Sequence, residues 1–125
     1  MTLRVRKPPV GASPGTLVMD PEALASVVHV YSYDDNTLEE YESISGEEIE
    51  ALRTAGRKLW VDVQGLGDER LMRQLAESFS IHPLALEDVV HVPIRPKAEP
   101  YEQNWLVVTR MLRQDGGEPL DAEQV

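Results

Sequence analysis

The chain has 125 residues, one domain's worth, and with 42% hydrophobic and 27% charged residues its composition is that of a folding globular protein. Twelve Lys and Arg against 22 Asp and Glu leave a formal charge of −10, which repels phosphate backbones, so nucleic acid is not an expected partner and cations are. Cysteine is absent, which excludes disulfides and thiolate metal sites and leaves oxygen and imidazole as the available ligands, a set suited to hard cations such as magnesium.

Residues 1 to 15 combine three prolines and two glycines with Arg4, Arg6 and Lys7, and they read as a flexible basic tail. No apolar run follows, so the start is neither a signal peptide nor an anchor. Apolar stretches elsewhere fall far short of the roughly 20 residues that span a bilayer, and the chain as given is expected to be soluble.

Residues 16 to 125 form the expected domain. TLVM at 16 to 19 is a short apolar run, and ASVVHVYSYD at 25 to 34 is β-branched and aromatic with partial alternation, which favours strands. A further strand is expected near Asn36 to Tyr41. ISGEEIEALRTAG carries the local signals of a helix: Ser45 as N-cap, Glu48 completing a capping box, Ile44 and Ile49 as a hydrophobic staple, and Gly56 as the stop.

KLWVDVQ at 58 to 64 alternates as a strand does and ends at a Gly-Leu-Gly turn. VDVQGLGDERL lacks the third glycine of a dinucleotide-binding turn, and a plain turn with Asp68 capping the next helix explains it better. In that helix Leu71, Met72, Leu75 and Phe79 recur on one face. A second short helix begins at Pro83, where the missing amide hydrogen costs nothing.

NWLVVTRML at 104 to 112 is nearly continuously apolar and reads as one strand covered on both faces. QDGGEP is a turn, and LDAEQV reads as the beginning of a further strand. The order of elements predicts an α/β (or α+β) fold, a mixed β-sheet flanked by helices, with the sheet incomplete at its C-terminal end.

IHPLALEDVVHVPIRPK at 81 to 97 holds the polar group of most interest. At about 100 degrees per residue, Leu84, Glu87, Asp88 and His91 fall on one side of the helix, and Ala85, Leu86, Val89 and Val90 on the other. The apolar side makes the core contact, so the carboxylates and His91 are expected to point outward. A solvated face with Arg95 or Lys97 as ion-pair partner is the plain reading. Glu87 and Asp88, however, lie beyond the first helical turn and repel one another, and a divalent cation relieves that repulsion. Two adjacent carboxylates cannot enclose an ion that takes about six oxygens, so such a site is incomplete, weak and suited to sensing. His82 is expected to cap or pack, and His29 to be structural. No nucleophile, oxyanion loop or cofactor motif accompanies His91, which argues against an enzyme.

PGTLV at 14 to 18 and LWVDVQGLGDERLMRQLAESFSIHPLALEDVVHVPIRPKAEPYEQNWLVVTRML from 59 resemble the cytoplasmic N-terminal domain of CorA-type magnesium and cobalt transporters, the HPLALED core followed by RPK being the most specific part. The resemblance implies an α/β regulatory domain of a homopentamer on the cytoplasmic face of the membrane, joined to its own stalk and membrane helices. It further implies that magnesium or cobalt binds between subunits and holds the channel closed. By resemblance Asp88 coordinates directly, Glu87 assists, and a neighbouring stalk completes the site. The Gly-Met-Asn pore signature, the stalk and the membrane helices are not in this sequence. A zinc transporter of the same superfamily and a free-standing interaction module are the alternative readings.

Overall fold

In the computed structural model, which describes residues 9–114, 116–117 and 121–125, the β-branched and aromatic run VVHVYSY forms a strand as expected. β1 (Val27–Tyr33) lies between β2 (Leu38–Glu42) and β3 (Lys58–Gln64), antiparallel to both. Alternation decides which residues face inward. Val28 pairs with Val63 and Val30 with Val61, and Val28 and Val30 are buried, whereas Tyr31 and its cross-strand partner Trp60 stay on the exposed face.

Helix α1 (Gly46–Thr54) forms on the expected signals. The Ser45 hydroxyl accepts from the Glu48 amide at 3.2 Å, and the Glu48 carboxylate accepts from the Ser45 amide at 2.7 Å, so two amides that the helix cannot use are satisfied. The turn ends with Gly56 at φ +79, in the left-handed region that favours glycine. Helix α2 (Glu69–Ser78) is capped by Asp68, which accepts from the Leu71 amide at 3.0 Å. Ile49 of α1 joins Leu71 and Leu75 of α2 on Val28 and Val30, with Ile44 against the same cluster. Each such side chain contributes about 1.5–3 kcal/mol on burial. Buried Ser32 is satisfied by Arg57, whose Nε donates to its hydroxyl at 3.0 Å.

The glycines after β3 serve close approach. A Cβ on Gly65 would meet the Ala25 carbonyl at 2.6 Å, and the Gly67 amide donates to the Leu24 carbonyl at 2.9 Å.

These elements make one of two compact units, Met19–Phe79; the other combines Met1–Val18 with Ser80–Val125. The second unit contains helix α3 (Pro83–Val90) and two antiparallel pairs, β4 (Lys97–Pro100) with β5 (Trp105–Val108), and β6 (Arg110–Arg113) with β7 (Asp121–Gln124). Leu17, Ala85, Leu86, Val90 and Val108 are its buried apolar residues. The α/β class therefore holds, with three helices among the described residues and the strands in small, incomplete sheets.

Three expectations need correction. Residues 16 to 19 form no strand, although Leu17 is buried. NWLVVTRML is two strands and not one: Thr109 leaves the β5 ladder and exchanges backbone bonds with Val125 at 2.9 and 3.0 Å. Nor is that run covered on both faces, because Trp105 is 68% and Val107 61% exposed. The β4 strand was hidden by its flanking prolines. Part of the expected tail, with Arg4, Arg6 and Lys7, and residues 115, 118 and 119 of the expected turn lie outside the described residues.

Candidate functional site

The carboxylate pair sits on α3, whose start is fixed by two neighbouring residues. His82 is the N-cap, its Nδ1 accepting from the Leu84 amide at 3.1 Å, and Pro83 occupies the first helical position. The other role expected of His82, packing, is also realised: its ring stacks on Tyr101 with centroids 5.0 Å apart. Ala85, Leu86 and Val90 bury the apolar side, and Leu84 is exposed as the helical spacing requires.

Glu87 and Asp88 lie in the second half of an eight-residue helix whose last turn holds no basic side chain. The helix dipole there disfavours negative charge, so stabilisation must come from other elements. It does, and separately for each residue. Glu87 Oε2 accepts from the Gly15 amide at 2.8 Å, a bond across 72 residues of sequence. Gly15 has φ +84, and a Cβ there would lie 2.8 Å from the Pro83 Cβ, so only glycine brings that amide onto the helix. Asp88 Oδ2 accepts from Lys97 Nζ at 2.6 Å, and the same ammonium donates to Glu99 Oε2 at 2.7 Å.

Of the two basic residues expected near the pair, Lys97 rather than Arg95 engages Asp88. The hydrogen bond that Lys97 donates to Asp88, and then the one it donates to Glu99, push its pKa upward, against the effect of its burial. Asp88 and Lys97 remain about one-third exposed, at 32% and 29%, so water screens the pair and its net contribution is within about 1 kcal/mol.

His91 departs from expectation. Its side chain is only 12% exposed, with Nδ1 3.7 Å from Glu87 Oε1, and Nε2 is buried without a hydrogen-bond partner among the described residues. The helical projection fails there because the helix has ended: His91 has ψ +61 and is the C-cap.

Glu99 and Gly15 were not singled out in the sequence. The signal for Glu99 was its i, i+2 relation to Lys97, which places both on one side of β4. Nothing local marks Gly15. Among the described residues no group of three or more His, Cys, Asp or Glu side chains is arranged to hold a metal ion. What the chain presents is a pair of hard-oxygen carboxylates, too few ligands for an ion that takes about six oxygens. No helix among the described residues is long and apolar enough to cross a membrane.

No family model matches the chain. It is similar to the cobalt/magnesium transport protein CorA of Thermotoga maritima, 30% identical over 117 residues that make up 92% of this chain and 33% of that protein. The chain thus spans about a third of that relative's length, and the likeness supports kinship with CorA-type proteins.

Proposed function

We propose that this chain is a cytoplasmic divalent-cation-sensing domain of a CorA-like magnesium or cobalt transporter and not an enzyme. Glu87 and Asp88 furnish part of a metal site that another subunit of a homopentamer completes through its stalk. The observation that carries this reading is the likeness itself: at 92% coverage only about ten residues of this chain fall outside the matched span, so α3 lies within it.

A magnesium or cobalt ion bound there neutralises carboxylates from two copies at once. It favours whichever arrangement brings those carboxylates together, by the difference in its affinity for the two arrangements. The chain's own residues prepare for this. His82 and Pro83 fix the start of α3, and the Gly15 amide holds Glu87 in place without supplying a competing cation. With only part of the site present, binding by the chain alone is weak.

Calorimetric titration with magnesium and with cobalt tests the reading. The expected dissociation constant is on the order of millimolar, and the response disappears in the double variant Glu87→Ala and Asp88→Ala with its helix content retained. Tight binding that survives both substitutions contradicts the proposal.

A further inference from the structure

The position that a cation would take at Asp88 already holds one. Lys97 Nζ lies 2.6 Å from Asp88 Oδ2 and 2.7 Å from Glu99 Oε2, so one ammonium serves two carboxylates on different elements. A magnesium or cobalt ion takes oxygens at about 2.1 Å, and it cannot reach Oδ2 while the ammonium keeps that contact without two positive centres lying close together.

Glu99 makes an exchange feasible. It lies two residues along β4 from Lys97, so an ammonium displaced from Asp88 keeps a carboxylate partner. Glu99 is itself held by the Tyr101 hydroxyl, which donates to Oε2 at 3.4 Å, while Tyr101 stacks on the N-cap His82 of α3.

We propose that Lys97 is a tethered counter-ion that competes with the divalent cation for Asp88, so that metal binding and transfer of the ammonium to Glu99 are one coupled step. This rests on the function proposed above and adds to it the residue that sets the threshold. A divalent ion displaces the ammonium where a monovalent ion does not, and only when its concentration is high enough to overcome the tether.

The size of the effect follows from Coulomb's law. Unit charges about 4 Å apart in water interact by somewhat more than the thermal energy, and a divalent ion doubles that. Discounted for movement of the ammonium, removal of the positive charge is expected to tighten binding about tenfold.

The test is a cobalt titration of the 125-residue chain followed by NMR, with paramagnetic changes at the amides of α3 both locating the ion and giving its affinity. Lys97→Met is expected to bind about tenfold more tightly than the wild type, Lys97→Arg to match it, and Asp88→Asn in the Lys97→Met background to abolish the gain. Equal affinity at α3 for Lys97→Met and wild type overturns the role of Lys97 and leaves the metal reading intact. Paramagnetic changes centred away from α3 in every variant overturn both. If Lys97→Met fails to fold, Glu99→Gln decides: by removing the second partner it is expected to weaken binding severalfold, and unchanged affinity refutes the exchange.

Discussion

Substituting Gly15 by alanine tests how the carboxylate pair is held, because three separate costs converge on one added methyl group. The backbone at φ +84 disfavours any L side chain by about 1–2 kcal/mol. The new Cβ would lie 2.8 Å from the Pro83 Cβ, and relieving that contact adds about 1 kcal/mol or more. Movement of the loop also breaks the 2.8 Å bond to Glu87, whose carboxylate makes it worth about 1.5–3 kcal/mol when fully formed. Against these stands a gain of about 0.4–1 kcal/mol from the stiffer unfolded chain. The loop detaches when that becomes cheaper than strain, so the costs do not simply add, and a loss of about 2–4 kcal/mol is expected. Urea unfolding measures the loss, and hydrogen exchange at the Gly15 amide reports the local detachment. Unchanged stability with a still-protected amide at position 15 would refute the reasoning.

Ile49→Ala leaves a cavity at the centre of the cluster formed by α1, α2 and β1, and it is expected to destabilise the Met19–Phe79 unit by about 2–4 kcal/mol in chemical denaturation; a loss below about 1 kcal/mol would mean that α1 is not packed as described. Glu50 is held at about 2, below its ordinary 4.5, first by the hydrogen bond from Arg53 and then by that from Ser78. Its folded value is depressed, so its contribution is present above about pH 4.5 and lost as pH falls toward 2. Thermal melts of Glu50→Gln should therefore approach those of the wild type as pH falls through that window, and an equal gap at pH 6 and pH 2 contradicts the pairing.

The elements legible in the sequence were those whose causes are local. The capping box of α1 lies within four residues, the alternation of KLWVDVQ within seven, and the Pro83 start of α3 within two. Elements decided by distant partners were not legible. Residues 97 to 100 carry no local strand signal between Pro96 and Pro100 and become β4 where β5 offers a ladder. NWLVVTRML looked covered on both faces, yet its composition carries no information about whether anything lies over Trp105 or Val107. The candidate site divides in the same way. Glu87, Asp88 and a basic partner from the following RPK segment follow from spacing, whereas the Gly15 amide arrives from 72 residues away and nothing near either residue announces it.

Ion uptake by the product of the complete reading frame, followed as cytoplasmic magnesium is raised, tests the sensing role most directly. For the wild type, uptake should fall as internal magnesium rises; for Asp88→Asn the fall should be lost or displaced to much higher concentration while uptake at low magnesium persists. An equal fall in both proteins would contradict a sensing role for Asp88, and no uptake by either would contradict the transporter reading itself.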